Sequence, residues 1–231
     1  VYKRQGKDVT LLARGAWGES IQKNGLRIKD KFSPRMSVSR IPVVTELKAE
    51  DKYDVIFVVL RYTQLDAILD TLRMNPTKNI VFVGNDVRAS ALSASLPEKN
   101  VMFAFASSAG HREREYVASV DLKKLKGNTA YLNRLIDANI EGYRAIKNAG
   151  HEILPKDDAE FEGAAYRKTC LRFFKLMSAT SLGKICASDH AMNAVDEMSA
   201  LNRDLKAFFD EHGGKYPVWQ ELEQEVAKYL K

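Results

Sequence analysis

Val55-Ile-Phe-Val-Val-Leu60 is the stretch of this 231-residue sequence that decides its fold. All six residues are apolar, which is typical of a strand that is covered on both faces of a parallel sheet. Two similar runs follow it along the chain, Ile80-Val-Phe-Val83 and Val101-Met-Phe-Ala-Phe105. Residues with helical spacing or helix-forming composition separate the runs, at 65–72 and at 89–96. This alternation of strand and helix predicts a parallel α/β sheet.

The residues before this stretch extend the same pattern toward the start of the sequence. Val9-Thr-Leu-Leu-Ala13 predicts a strand, and residues 17–24 predict a helix that ends at Gly25. In a Rossmann-type sheet the first strand is central, and a glycine-rich phosphate turn follows it directly. The sequence contains no GxGxxG motif and begins, in this interpretation, at the second strand. We therefore expect a Rossmann-type parallel sheet whose first strand is missing.

Near residue 120 the pattern changes from alternating strands and helices to helices alone. Amphipathic spacing predicts four helices in the second half, over residues 132–150, 161–178, 190–209 and 218–230. We expect two domains, an α/β domain over residues 1–120 and an all-helical C-terminal domain over residues 121–231.

Composition argues against several classes of protein. The net charge is +6, from 36 Lys and Arg against 30 Asp and Glu, but the basic residues are scattered and favour a solvated surface over nucleic-acid binding. The longest apolar run is far shorter than the roughly 20 residues of a membrane helix, and the opening residues do not form a signal peptide. Cys170 and Cys186 lack metal-ligand spacing, which favours free thiols in a reducing compartment. We expect a cytoplasmic protein without a metal, a membrane segment or nucleic acid.

Polar residues follow three of the predicted strands at their carboxyl ends, where ligands of open α/β sheets bind. Arg14 stands where this fold meets the adenosine ribose, and a basic residue there favours NADP over NAD; an ordinary surface arginine is the alternative. Arg61 has a planar fork that suits a carboxylate. Asn85 can hydrogen-bond a ribose or a substrate oxygen, and the alternative is that Asn85 or Asp86 caps the next helix.

Candidate residues in the helical half cluster near the start of one predicted helix. His190, Ala194 and Glu197 fall at i, i+4 and i+7, which places them on one helix face. His190 is a candidate acid–base group, although no base partner is visible in the sequence. Ser188 is a candidate for substrate contact or for capping this helix.

Five segments, in chain order, carry recognisable motifs: Val9-Thr-Leu-Leu-Ala-Arg-Gly15, Asn24-Gly-Leu-Arg-Ile28, Tyr53-Asp-Val-Ile-Phe-Val-Val-Leu-Arg61, Val83-Gly-Asn-Asp86 and Asp196-Glu-Met-Ser-Ala-Leu-Asn202. Together they resemble the ketopantoate reductase (2-dehydropantoate 2-reductase) family. The likeness is greatest to a bacterial subgroup with the pattern HA..A.dEm..L, here residues 190–201. The resemblance covers most of the chain.

This resemblance implies an NADP-dependent oxidoreductase of pantothenate biosynthesis. Such an enzyme reduces a 2-oxo acid to a 2-hydroxy acid with NADPH, using a Rossmann domain and a helical domain for substrate binding and dimerisation. The resemblance implies cofactor contacts by Arg14, Arg61 and Asn85, substrate contacts by Ser188, His190 and Glu197, and catalytic roles for Asn85 and Glu197. It leaves a homodimer open.

The sequence departs from the family pattern in several places. The glycine-rich turn is absent, and the general-acid lysine of the family has no counterpart. Near residue 120 the chain passes directly to a later helix, as though a segment were deleted. Arg61 replaces a lysine and Asp86 replaces a glycine. We therefore expect a chain truncated at its N-terminus, deleted internally near residue 120 and impaired as a reductase. The alternative is a non-catalytic nucleotide or small-molecule binding module with the same fold.

Overall fold

The structure, a computed structural model, describes residues 6–29, 35–105, 122–184 and 190–227. Its contacts divide the chain into two compact units. The first unit comprises Val1–Phe57, Ala67–Val81 and Ser93–Met102, and the second comprises Val58–Asp66, Phe82–Leu92 and Phe103–Lys231. The carboxyl ends of the three buried strands predicted above therefore belong to the same unit as the helices of the second half.

The first described elements are four short strands and one helix. They are β1 (Leu11–Leu12), α1 (Gly15–Asn24), β2 (Leu26–Lys29), β3 (Met36–Ser39) and β4 (Val43–Val44). As predicted, α1 ends at Gly25, which has a φ of 76°. A Cβ at this position would lie only 2.9 Å from Cγ1 of Val38. Glycine is therefore required here both by the left-handed backbone and by the close approach of β3.

The strands that decide the fold form a sheet of three. Its elements are β5 (Ile56–Val58), α2 (Leu69–Met74), β6 (Asn79–Val83), α3 (Ala89–Ser95) and β7 (Asn100–Ala104), with strand order β5-β6-β7. The Asn100 N–H donates to the Lys78 carbonyl near the start of the strands, and the Gly84 N–H donates to the Ala104 carbonyl near their end. Because matching ends are paired, β6 and β7 run parallel.

Strand β1 does not belong to this sheet. It pairs in parallel with β4, Leu11 opposite Val43, in a separate sheet of two strands. The expectation that one sheet contains all four predicted strands is therefore wrong for the described residues. In the strand order 3-2-1-4-5-6 the first strand lies between the second and the fourth. The pair β1–β4 corresponds to strands 2 and 3 of this order, and β5–β7 correspond to strands 4, 5 and 6. The Rossmann-type fold is therefore confirmed, in two separate sheets.

Buried polar side chains hold the amino ends of β5 and β6 within the first unit. The Asn75 side-chain amide donates to the carbonyls of Lys48 and Asp51, at 2.9 and 2.7 Å. The Thr77 hydroxyl accepts the N–H of Tyr53 at 3.0 Å. Both side chains are almost completely buried, and these hydrogen bonds satisfy backbone groups that no strand partner reaches.

Among the described residues after 121 the structure contains helices and no strand, as predicted. The α-helices are α4 (Lys123–Gly127), α5 (Thr129–Asn148), α6 (Ala164–Ser178), α7 (Ser181–Gly183), α8 (His190–Asn193), α9 (Val195–Phe208) and α10 (Pro217–Val226). Asn128 is the N-cap of helix α5, and its side chain accepts the N–H of Tyr131 at 3.0 Å. Ile136 and Ile140 of α5 pack with Ile153 and Phe161 in a buried cluster.

Glu141 of α5 is a buried carboxylate with a structural partner. Its two oxygens accept the N–H groups of Val218 and Trp219 at 3.1 and 2.8 Å. These groups lie in the first turn of α10, where a helix leaves N–H donors unpaired and favours negative charge. The contact explains how a carboxylate of α5 is accommodated in the helical core.

Leucine truncation on the helices tests this packing. Leu132 is 2% exposed on α5 and Leu176 is 63% exposed on α6. Leu132→Ala should lower the free energy of unfolding by about 2–5 kcal/mol because it leaves a cavity, whereas Leu176→Ala should change it by less than about 0.5 kcal/mol. Urea unfolding followed by circular dichroism measures both, and equal losses would contradict the assignment of Leu132 to the core.

Candidate active site

Tyr62 connects the carboxyl end of β5 to helix α9. It opens a single 3-10 turn, Tyr62–Gln64, four residues beyond the last residue of β5, and its side chain is buried. Its backbone N–H donates to Oε1 of Glu197 at 2.9 Å, and its hydroxyl donates to Oδ2 of Asp204. Two carboxylates of one helix therefore hold the same residue by its backbone and by its side chain.

The environment of Tyr62 keeps its hydroxyl protonated. Burial raises the pKa of the Tyr62 hydroxyl well above its ordinary value, and the hydrogen bond to Asp204 raises it further. The hydroxyl therefore remains a donor to Asp204 over the physiological pH range.

Arg88 covers the ring of Tyr62. Its guanidinium carbon lies 4.4 Å from the ring centroid, a cation–π contact. Nη1 of Arg88 also lies 3.0 and 3.2 Å from the two carboxylate oxygens of Asp66. Nε of the same guanidinium is buried and has no hydrogen-bond partner in the structure. Arg88 is therefore held by its neighbours while one of its donors is left unsatisfied.

Asp86, in the loop between β6 and α3, is the second buried group that is only partly satisfied. Its Oδ1 accepts the N–H of Arg88 at 2.6 Å, whereas its Oδ2 is buried and has no partner among the described residues. The first contact closes an Asx-type turn before α3 and does not reach an N–H of that helix, so capping of α3 by Asn85 or Asp86 stays a prediction. Burial raises the pKa of the Asp86 carboxyl, and this outweighs the N–H and the guanidinium of Arg88, which lower it. An unpartnered buried oxygen favours the neutral acid.

A small cavity of about 10 Å³ lies at the carboxyl ends of the three strands, within the second unit. This is the room of one water molecule. It is lined by Val58, Leu60, Tyr62, Leu65, Phe82, Val83, Gly84, Asn85, Asp86 and Phe103. Phe82 and Phe103 stack with their centroids 5.8 Å apart. The cavity therefore has mainly apolar walls with Tyr62, Asn85 and Asp86 as its polar members.

Arg61 and Glu197, two of the predicted site residues, lie beside Tyr62. The guanidinium of Arg61 contacts the Asp196 carboxylate at 3.4 Å and donates to the Asn193 carbonyl at 3.1 Å. Glu197 is 6% exposed and belongs to the first turn of α9. The structure thus brings Arg61, Glu197 and the cavity residue Asn85 around one tyrosine, at the edge of the sheet that the sequence predicts.

Arg14 lies in the first unit, at the carboxyl end of β1. Its Nε donates to the carbonyl of Thr45, just after β4, at 2.9 Å. No described residue pairs with its two terminal nitrogens. Helix α1 follows closely, since a Cβ at Gly18 would lie 2.5 Å from the Ala13 carbonyl oxygen. A cation at the tip of the second Rossmann strand therefore lies beside a helix that packs tightly against that strand.

The predicted helix over residues 190–209 is wrong in one respect. Helix α8 ends at Asn193 and α9 begins at Val195, because Ala194 leaves the helical region with φ −135° and ψ 45°. The spacing argument for a shared face of His190, Ala194 and Glu197 therefore fails. For His190 the structure describes only the backbone, and Ser188 lies outside the described residues.

Sequence reasoning did not select Tyr62, Arg88 or Asp204. Arg88 lies two residues after Asp86, and this Asx-type spacing is a detectable signal. Asp204 is eight residues after Asp196 in the predicted helix, and no sequence signal links it to Tyr62. Long-range pairing of this kind becomes visible only in the structure.

A larger groove of about 260 Å³ lies among the helices of the same unit, away from the cavity residues in sequence. Its polar lining consists of Asp137, Glu141, Arg144, Glu162 and Arg167. Arg144 pairs with Glu162 at 2.6 Å, and Arg167 pairs with Asp137. Since its cations are paired with its own carboxylates, this groove offers little free charge for a ligand.

Two further features concern the described part of the chain. No helix within residues 6–29, 35–105, 122–184 and 190–227 has the length and apolar character needed to cross a bilayer. Within the same residues, no three His, Cys, Asp or Glu side chains come together as a metal site.

The sequence profile of the family described as ketopantoate reductase PanE/ApbA matches residues 2–127, more than half of the chain. The chain belongs to the ketopantoate reductase family. The members are oxidoreductases, and the parallel strands and C-terminal helices described above agree with their fold. None of the curated proteins is significantly similar to the chain in sequence.

Two solved structures have a similar fold. D-mandelate dehydrogenase, in a ternary structure with NADH and anilino(oxo)acetate, has a TM-score of 0.62 at 13% identity, over 98% of this chain and 92% of that chain. A putative ketopantoate reductase from Ralstonia solanacearum MolK2 has a TM-score of 0.50 at 13% identity, over 96% and 90%. At this identity the likeness concerns the fold alone.

The raised pKa of Asp86 predicts a pH-dependent gain in stability for Asp86→Asn. Folding raises the pKa of the Asp86 carboxyl, so wild type loses stability as pH rises above the unfolded aspartate pKa of about 3.9 and through the raised native value. The amide cannot ionise and avoids this loss. The variant should match wild type at lower pH and be more stable at pH 8.

Urea unfolding at a series of pH values measures this difference. Asp70→Asn is the matched control, because it removes a carboxylate that is 85% exposed and should change stability by less than about 0.5 kcal/mol. A pH-independent effect of Asp86→Asn would show that Asp86 is ionised in the native chain.

Proposed function

We propose that the chain is an NADPH-dependent reductase that converts a 2-oxo acid resembling ketopantoate into the 2-hydroxy acid. The supporting observation is the grouping of Arg61, Asn85 and Glu197 around Tyr62 at the carboxyl edge of β5–β7, in a chain of the ketopantoate reductase family. Ligands of open α/β sheets bind at this edge. The NADH and anilino(oxo)acetate of the structural relative support a nicotinamide cofactor and an oxo acid.

Each unit, taken by itself, contains a residue that suits one part of a nicotinamide cofactor. Arg14, with terminal nitrogens that no described residue uses, suits the 2′-phosphate of NADPH. Asn85, half-buried in the cavity lining, suits the ribose next to the nicotinamide. The general-acid lysine of the family has no counterpart in the sequence, so we expect slow turnover. When bound, the cofactor supplies the hydride.

The residues of the chain position the oxo acid. Arg61 offers a planar cation at the edge of the sheet, although it shares that cation with Asp196. Glu197, held by the Tyr62 N–H, is the carboxylate that the family resemblance assigns to substrate binding, and we propose that role for it here. Phe82 and Phe103 give the neighbouring cavity apolar walls. Binding by these groups aligns the carbonyl with the hydride donor.

A non-catalytic binding module remains the second candidate. The observation that favours it is the absence of the family lysine, because loss of a general acid typically lowers the rate by about 10²–10⁴-fold. A module of this kind would bind NADPH and the oxo acid without oxidising the cofactor. A role in pantothenate biosynthesis and a homodimer stay predictions from the resemblance, and a cytoplasmic location stays a prediction from composition.

Cofactor binding and oxidation test the proposal together. The chain should bind NADPH more tightly than NADH and oxidise it slowly with ketopantoate or smaller 2-oxo acids at high cofactor concentration. Arg14→Asp should weaken NADPH binding by about 10-fold or more, since it removes a charge-assisted contact worth about 1.5–3 kcal/mol. NADH binding should change far less. Titration of cofactor fluorescence and absorbance at the reduced nicotinamide band measure both.

Arg27→Asp is the matched control, because Arg27 lies on exposed strand β2 of the same unit. It should leave the preference for NADPH intact. Equal losses for both cofactors in Arg14→Asp would contradict the phosphate contact. Binding of both ligands without NADPH oxidation would favour the binding module.

A further inference from the structure

The reduction proposed above needs an acid that protonates the developing alkoxide, and the family lysine is absent. The cavity beside Asn85 limits the choice, because among its lining residues only Tyr62 and Asp86 can ionise. The Tyr62 hydroxyl already donates its proton to Asp204. Arg88, stacked on Tyr62, is permanently charged and does not release a proton. Asp86 is therefore the acid of this cavity.

The two oxygens of Asp86 have different surroundings. Oδ1 accepts the Arg88 N–H, whereas Oδ2 is buried, has no partner in the described part of the chain and belongs to a residue that lines the cavity. A carboxylate oxygen without a donor is costly among the side chains of Val58, Phe82 and Phe103. A protonated Oδ2 removes the charge and supplies a donor to whatever occupies the cavity.

Charged groups from three segments of the chain face this carboxyl. Arg88, at the start of α3, favours the ionised form, whereas Asp66, before α2, and Asp204, on α9, favour the protonated form. Burial is the largest influence and also favours the protonated form. The net effect raises the pKa of the Asp86 carboxyl, while Arg88 is near enough to stabilise the carboxylate once a proton has left.

We propose that Oδ2 of Asp86 carries the proton that the reduction delivers to the keto oxygen, through one water molecule in the cavity. This inference rests on the proposed function. As hydride from a reduced nicotinamide adds to the keto carbon, the π electron pair of the carbonyl moves to oxygen. That oxygen takes a proton from the water, and the water takes the proton of Asp86. Solvent then reprotonates the Asp86 carboxylate.

Asp86→Asn removes the acid and keeps the acceptor for the Arg88 N–H. At saturating cofactor and oxo acid, the single-turnover rate should fall about 10²–10⁴-fold, while the dissociation constants of both ligands change less than about threefold. The wild-type rate should fall as pH rises through the pKa of Asp86, and the variant should lose this dependence. Asp86→Glu, which restores an acid, should recover part of the rate and the pH dependence. Asp70→Asn is the control and should match wild type.

The protonation state of Asp86 provides a readout that does not depend on activity. NMR of the unliganded chain with ¹³C-labelled aspartate follows each carboxyl carbon as a function of pH. The signal of Asp86 is the one that disappears in Asp86→Asn. Its pKa should lie above the ordinary aspartate range. Titration within or below that range overturns the proposal. Unchanged turnover in Asp86→Asn overturns it as well. So does a pH dependence of the rate that persists in Asp86→Asn and is lost in Tyr62→Phe. Failure of wild type to reduce any 2-oxo acid overturns the proposed function itself, and the role of Asp86 with it.

Discussion

The hydrogen bond from the Tyr62 N–H to Glu197 is the interaction on which the candidate site depends. Glu197 is buried, so this carboxylate needs donors inside the protein, and the residue that follows β5 supplies one at 2.9 Å. The Tyr62 hydroxyl makes a second contact to α9 through Asp204. Together they fix a helix to the carboxyl end of a parallel strand. Arg61, next to Tyr62, and Asn85, after the neighbouring strand β6, lie at the same edge of the sheet.

The buried polar groups of the site differ in how fully their hydrogen bonds are satisfied. The Tyr62 hydroxyl donates to Asp204, and its ring contacts the guanidinium of Arg88. Asp86 and Arg88 each keep one buried polar atom without a partner. Unsatisfied buried groups are rare in native proteins and are found where a ligand or a water molecule completes the site. Asp86 lines the cavity, which agrees with the proton-donor role that we propose for it.

Much of the fold was predictable because it depends on local patterns. Apolar runs predicted β5–β7, amphipathic spacing predicted α5, and Gly25 marked the end of α1. The separation of β1 from the three-stranded sheet was not predictable from periodicity, since pairing depends on which strands lie between. The break at Ala194 was missed because an alanine carries no helix-stop signal, although the acidic pair Asp196 and Glu197 is typical of a helix start. Contacts such as Tyr62 to Asp204 join residues 142 positions apart and leave no local trace.

Titration of the ¹⁵N-labelled chain with oxamate, an unreactive analogue of a 2-oxo acid, tests the location of the site most directly. In the presence of NADPH, the backbone amide signals of Arg61, Asn85 and Asp86 should shift in a saturable manner, and ketopantoate should compete for the same site. Signals from Arg144 and Arg167, in the groove among the helices, should stay in place. Shifts confined to that groove, with no change at the carboxyl edge of β5–β7, would contradict the account.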